Sequence, residues 1–206
     1  MSAKYLLKIL TLGAQNVGKT NIILRYSENQ FHEQINSTIG IDFKTKLIKK
    51  GNEIIKLSLY DTAGQERFNY LIKNYYKGTN GVLLVYDITN RDTFKKIDFW
   101  LNDLMENADN LDILYIILIG NKNDLEEQRQ VSFEEANNYA NEKNLSYIEV
   151  SAKTGDNIKK LFDEMIKGAM INMLSKGGKL NTSLNQTIRL SFLDKDETPI
   201  KNEKCC

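Results

Sequence analysis

The chain has 206 residues, 41% apolar and 27% charged, with a net charge of +1. That length fits one globular domain, and that composition excludes a mostly disordered chain. The near-neutral balance creates no general field that would attract nucleic acid, and no apolar run reaches the about 18 residues of a membrane-spanning helix. The two cysteines are Cys205 and Cys206, so no disulfide framework supports the fold, as in a reducing compartment. Met1-Ser2-Ala3-Lys4 does not open a leader peptide, and Ser2 stands where a myristoylated chain needs glycine.

Residues 5–12 read as a strand running into a glycine-rich turn, and 21–26 as the short helix after it. Residues 42–49 and 53–60 read as strands joined at Gly51-Asn52, a hairpin that gives the sheet one antiparallel edge. The continuous apolar runs GVLLVY (81–86) and LYIILI (114–119) read as strands buried on both faces of a parallel sheet. Residues 93–107 place Phe94, Ile97, Leu101, Leu104 and Met105 at helical spacing. Residues 132–143 open with Ser132 and Glu135 placed as a capping box. Ile158, Leu161, Phe162, Met165 and Ile166 form a further helical stripe. Alternating strands and helices predict a doubly wound α/β domain. Periodicity fails after about Ser175, which predicts a folded domain over 1–175 and a flexible tail over 176–206.

Four short strings carry chemistry. GAQNVGKT, Gly13 to Thr20, fits G-x-x-x-x-G-K-S/T and lies between a predicted strand and helix. Gly13 and Gly18 let backbone N–H groups turn inward on phosphate oxygens, and the helix N-terminus favours the anion. Lys19 is placed to reach the β- and γ-phosphates and Thr20 to ligate Mg²⁺. DTAGQ, Asp61 to Gln65, follows a strand; its carboxylate can hold Mg²⁺ through water, and the Gly64 N–H can sense a γ-phosphate. NKND, Asn121 to Asp124, ends the most apolar strand. The Asp124 carboxylate can accept from the N1–H and exocyclic amine of guanine, a donor pair that adenine lacks. SAK, Ser151 to Lys153, follows the last strand. Each string alone has a plain alternative as a turn. Together they stand in order at the carboxyl ends of strands, where open α/β sheets bind ligands.

The sequence resembles the Ras superfamily of small GTPases, and within it the Rab family. The resemblance runs from about Tyr5 to Ser175 and rests on IGIDF (39–43), KLSLYDTAGQERF (56–68), YYKG (75–78) and YDIT (86–89). It implies a mostly parallel six-stranded sheet with one antiparallel edge strand and helices on both faces. It also implies that Thr38 closes onto Mg²⁺ and the γ-phosphate, giving a metal set of Thr20, Thr38 and Asp61. Phe31 packs against the guanine, although an ordinary core role also fits. Gln65 orients the attacking water and forms, with Lys19 and Thr38, the catalytic set. Ala152 offers its N–H to the guanine carbonyl, and Lys122 lines the base. Asn16, Val17, Asn21, Asn121, Ser151 and Lys153 complete the expected nucleotide-binding set.

Such a resemblance implies a switch that binds and hydrolyses GTP, slow by itself and accelerated by an activating protein, in vesicle traffic. GTP, GDP and Mg²⁺ are the expected cofactors. The expected partners are an exchange factor, an activating protein, a GDP-dissociation inhibitor or escort protein, and effectors at the switch loops. Cys205 and Cys206 resemble the prenylated ending of this family. Geranylgeranyl groups there would anchor the protein to the cytoplasmic face of an intracellular membrane, cycling with cytosol, because two lipids hold where one is marginal. Three departures stand out. Gln15 and Asn16 occupy loop positions that are often small, and Gln15 sits where it can impede an incoming arginine. Tyr60 replaces the usual Trp of an aromatic triad with Phe43 and either Tyr75 or Tyr76. The sole histidine, His32, reads as solvated. A GTP-holding module with little hydrolysis stays open on Gln15 and Asn16; a P-loop kinase for a small molecule is opposed by NKND.

Overall fold

The computed structural model describes residues 3–34, 38, 40–51, 53–64, 69–176 and 198–199. Strand β1 (Tyr5–Leu12) leads through the glycine-rich loop into helix α1 (Lys19–Glu28). Strands β2 (Ile41–Lys50) and β3 (Glu53–Thr62) form the expected hairpin, with Lys50 opposite Glu53 across the two-residue loop. Helix α2 (Asn69–Tyr76), β4 (Gly81–Asp87), α3 (Arg91–Lys95), α4 (Ile97–Asn107), β5 (Tyr115–Asn121), α5 (Phe133–Glu142), β6 (Ser146–Val150) and α6 (Ile158–Lys176) follow. The strands lie in the order β6-β5-β4-β1-β3-β2. All neighbours pair parallel except β2, which is antiparallel to β3. That is the expected six-stranded sheet. A two-residue strand β7 (Thr198–Pro199) adds to the outer edge of β2, opposite Ile48 and Lys49. An edge strand presents unpaired N–H and C=O groups, so even a short segment can pair there. The rest of the expected tail lies outside the described residues.

The fully apolar runs serve both faces at once. In β4, Leu83 and Val85 enter the layer under α1 and α6, while Val82, Leu84 and Tyr86 enter the layer under α2, α4 and α5. Ile117 and Ile119 of β5 share the first layer; Ile116 and Leu118 share the second. Tyr26 of α1 stacks on Phe162 of α6, with centroids 3.7 Å apart and planes 5° from parallel.

Three expectations change in detail. The helix expected over 93–107 is two helices. Asn90 Oδ1 caps α3 by accepting from the Asp92 N–H (3.1 Å), and the backbone flattens at Lys96 (φ −76°, ψ −7°) before α4 begins. The break lets Phe94 face Tyr86 and Tyr139 while Ile97, Trp100, Leu101 and Leu104 face the sheet. Met105 is exposed rather than part of that stripe. The capping box of α5 is half made: Ser132 Oγ accepts from the Glu135 N–H (3.1 Å), but the Glu135 carboxylate turns to Arg91 (2.5 and 3.0 Å). A charged guanidinium offers that carboxylate a stronger bond than a lone amide does. Among the described residues, no helix is long and apolar enough to cross a membrane.

Candidate functional site

A cleft of about 420 Å³ opens at the carboxyl ends of the strands, and all four strings meet there. Its phosphate end is the loop between β1 and α1. Gly13 (φ 142°) and Gly18 (φ 93°) take backbone conformations closed to most side chains, as does Asn16 (φ 64°). A Cβ on Gly13 would strike the Val85 carbonyl, and one on Gly18 the Asn121 side chain. Lys19 is 5% exposed, and its Nζ donates to the Gly13 and Ala14 carbonyls, both at 2.8 Å. Its charge therefore sits inside the curl of the loop. Gly64 comes against the loop from the other side, so close that a Cβ would run into the Ala14 and Gln15 backbone.

Thr20, Thr38 and Asp61 converge beside this loop. Thr20 Oγ1 donates to Asp61 Oδ2 (2.6 Å), Thr38 Oγ1 reaches the same oxygen (3.3 Å), and the two hydroxyls are 3.1 Å apart. Asp61 lies inside the β2–β3 ladder, opposite Asp42, because β3 runs two residues further than its apolar pattern. It is 4% exposed. Burial pushes its carboxyl above the usual carboxylate range, against the Thr20 hydroxyl, the Lys19 ammonium and the Thr38 hydroxyl, which favour the charged form. A cation beside it would offset that cost. One carboxylate and two hydroxyls suit a hard divalent ion that keeps places for water and phosphate oxygens, so these residues fit Mg²⁺.

The base end is built from two loops. Asn121 bridges them to the phosphate loop: its Nδ2 donates to the Val17 carbonyl (2.8 Å), and its Oδ1 accepts from the Ala152 N–H (3.2 Å). Ser151 is fully buried, and its Oγ donates to Asp124 Oδ1 (2.6 Å). Gly13, Val17, Asp61 and Ser151 thus lie behind the cleft wall, whereas Asn16, Gly18, Lys19, Thr20, Lys122, Asp124, Ala152 and Lys153 line it. Phe31 lines the cleft and also packs on the α1–α6 core. Asn21 clasps its neighbour His32: Nδ2 donates to the His32 carbonyl (2.9 Å), and Oδ1 accepts from the His32 N–H (3.0 Å). His32 is exposed, as expected. The aromatic triad resolves to Phe43, Tyr60 and Tyr75, with centroids 4.9 and 5.5 Å apart; Tyr76 is buried instead. Gln65, Cys205 and Cys206 lie outside the described residues.

Two supporting residues had no signal in the sequence. Arg25 Nε donates to the Ala152 carbonyl (2.9 Å) and Nη2 to the Lys153 carbonyl (2.7 Å). Asp87 is 5% exposed and holds Lys122 Nζ at 2.5 Å. Its other oxygen accepts from the Thr89 N–H and hydroxyl (2.9 and 2.7 Å). YDIT contains Asp87 and Thr89, but only the fold shows that they face Lys122.

The sheet order, the curled loop and the clustered hydroxyls define a phosphate-loop nucleotide-binding protein. The Ras family profile matches residues 8–171. The chain is 44% identical over 164 residues to Ras-related protein Rab-1 of Theileria parva, covering 79% of this chain and 74% of that protein. It is 44% identical over 158 residues to Ras-related protein Rab-4 of Dictyostelium discoideum, covering 77% and 76%. It is also 44% identical over 161 residues to GTP-binding protein ypt2 of Schizosaccharomyces pombe, covering 78% and 80%. The chain belongs to the Ras family of small GTPases, and within it to the Rab family. It is a GTPase, converting GTP to GDP, and a GTP-binding switch of vesicle traffic.

Proposed function

We propose that the protein is a lipid-anchored Rab switch whose GTP occupies the 420 Å³ cleft. The observation that carries this reading is the meeting of Thr20, Thr38 and Asp61 beside the buried Lys19. Lys19 and the N–H groups from Asn16, Val17 and Gly18 neutralise the β- and γ-phosphates. Thr20, Thr38 and Asp61 hold Mg²⁺, directly or through water. When bound, that ion would supply positive charge to offset the negative charge of the β- and γ-phosphates. Asp124 accepts from the guanine N1–H and amine, and the Ala152 N–H meets its carbonyl. Lys122 and Phe31 flank the ring, while Asn21, Asn121, Ser151 and Lys153 shape the surrounding loops. Gln65 orients the attacking water, and the Gly64 N–H senses the γ-phosphate.

No arginine of the described site faces the cleft as a transition-state clamp. Hydrolysis is then slow alone and accelerated by an activating protein, by roughly 10³–10⁵ where an arginine is supplied in trans. An exchange factor reloads the site, effectors read the GTP form through the Phe43–Tyr60–Tyr75 surface, and a GDP-dissociation inhibitor or escort protein carries the lipidated form. Residues 176–206 form the tether. Geranylgeranyl groups on Cys205 and Cys206 hold the domain at the cytoplasmic face of an intracellular membrane.

Single-turnover hydrolysis tests the switch. GTP should be consumed by the wild type and persist in Gln65→Leu. If GTP persists in both, the protein is a GTP-holding module. One observation favours that second reading: Gln15 is exposed at the cleft beside Gly64, and a rate restored in Gln15→Gly would assign the block to it. Imaging the amino-terminally tagged chain beside Cys205→Ser/Cys206→Ser tests the anchor. A discrete membrane for the wild type and a diffuse double mutant are expected; a diffuse signal for both removes the anchor.

A further inference from the structure

A polar network lies beneath the base end of the cleft and involves none of the residues assigned above. Arg129 stands just after the 3₁₀ turn (Asn123–Gln128) that carries Asp124. Glu149 is in β6, two residues before Ser151. A guanidinium has five N–H donors, and five acceptors surround this one. Nη1 donates to Glu149 Oε1 (2.8 Å) and to the Val131 carbonyl (2.9 Å). Nη2 donates to Glu149 Oε2 (2.8 Å) and Glu126 Oε2 (2.6 Å), and Nε to Glu126 Oε1 (2.8 Å). Tyr147 Oη donates to Glu149 Oε1 (2.7 Å) and meets Tyr86 Oη (2.8 Å). The Arg129 and Glu149 side chains are 16% and 12% exposed, while Glu126 is 68% exposed. The inner, two-pronged pair is therefore the one shielded from water and salt.

We propose that Arg129 is a positioning residue for guanine recognition, its two-pronged bond to Glu149 fixing the loop of Asp124 against the loop of Ser151 and Ala152. This rests on the reading of Asp124 as the acceptor of the guanine amine. Recognition needs the Asp124 carboxylate and the Ala152 N–H held together to within about 0.5 Å. At the cleft wall, one side-chain bond joins Asp124 to Ser151, beside the Asn121 bond to the Ala152 N–H and the Asn123 bond to Asp156. The Arg129–Glu149 strut sits outside the cleft and ties the two loops by a rigid planar fork that a single-pronged lysine cannot copy.

The test is competition of GDP and IDP for the full chain loaded with a fluorescent GDP, because IDP lacks only the exocyclic amine. The wild type should prefer GDP by roughly ten- to a hundredfold, the value of one hydrogen bond to a charged group. Arg129→Met and Glu149→Gln should each reduce that preference by about threefold or more, a partial loss of the same bond. Arg129→Lys should fail to restore it. A GDP-to-IDP ratio equal to wild type in these folded variants overturns the proposal, since a merely structural strut lowers melting temperature and leaves base preference alone. If Arg129→Met does not fold, Arg129→Lys and Glu149→Gln carry the comparison. A wild type that does not distinguish GDP from IDP overturns the guanine reading itself.

Discussion

At the scale of single residues, the site depends on side chains that do not line it. Asp87 holds Lys122, a residue with backbone in the left-handed region (φ 70°), at 2.5 Å. Because Lys122 is a third exposed, the pair contributes on the order of 1 kcal/mol. Asp87→Asn should therefore release GDP faster, by up to roughly fivefold, read by fluorescent-nucleotide dissociation. An unchanged rate would make Asp87 a partner of Thr89 only. Gly64 gives a sharper case. A Cβ there meets the Ala14 and Gln15 backbone, which cannot swing aside as a side chain can. Gly64→Ala should separate the two segments and remove the difference in tryptic protection between the GTP and GDP forms. The four strings were legible in the sequence because each keeps its residue types and spacing within a short run, whereas the roles given to Phe31, Thr38, Gln65, Lys122 and Ala152 came only with the family resemblance. Arg25 and Asp87 were not legible, because their partners lie far along the chain: Arg25 bonds carbonyls of Ala152 and Lys153.

At the scale of elements, the buried strands were legible because an apolar run without alternation has few other uses. Leu84 in β4 is fully buried in the layer under α2 and α4. Leu84→Ala should cost about 2–5 kcal/mol of stability, measured by urea unfolding. What the pattern could not show is where a helix breaks or a strand overruns. Lys96 divides α3 from α4 because Asn90 and Phe94 are drawn towards the end of β4 and its neighbours, a tertiary demand with no local signal. The α2–α4 contact carries a pH dependence. Tyr76 Oη donates to Asp103 Oδ2 (2.6 Å), and burial together with that carboxylate pushes its pKa above the ordinary value of 10.0. Its stabilising effect is complete below that value. Above it the unfolded tyrosine loses its proton and the native one keeps it, so stability falls as pH rises. Tyr76→Phe should flatten that decline above pH 10 and cost about 1 kcal/mol at neutral pH. An equal slope for both proteins would place the alkaline loss elsewhere.

At the scale of the whole molecule, two hydrophobic layers share one sheet, and the strand-end loops that line the cleft leave that sheet at the same end. Ligand binding and folding are therefore linked: a ligand at about a thousand times its Kd adds roughly 4 kcal/mol to stability. Chelation of Mg²⁺ from the GDP-loaded protein should lower its melting temperature and speed GDP release, because Asp61 then keeps its burial cost without a cation to offset it. No change on chelation would leave Thr20, Thr38 and Asp61 as a structural cluster. The β2–β3 hairpin has one further consequence. Its closed end is the tight turn at Gly51. Its open end pairs Ile41 with Thr62, and the Ala63 N–H reaches the Gly40 carbonyl (2.9 Å). Thr38 and Gly64 are the tabs just beyond that last stitch. A ribbon sewn from one end can unpick only from the other, so loss of the Gly40–Ala63 stitch slackens both tabs together. Under the proposed reading of Thr38 and Gly64 as γ-phosphate contacts, the two then act as a single latch.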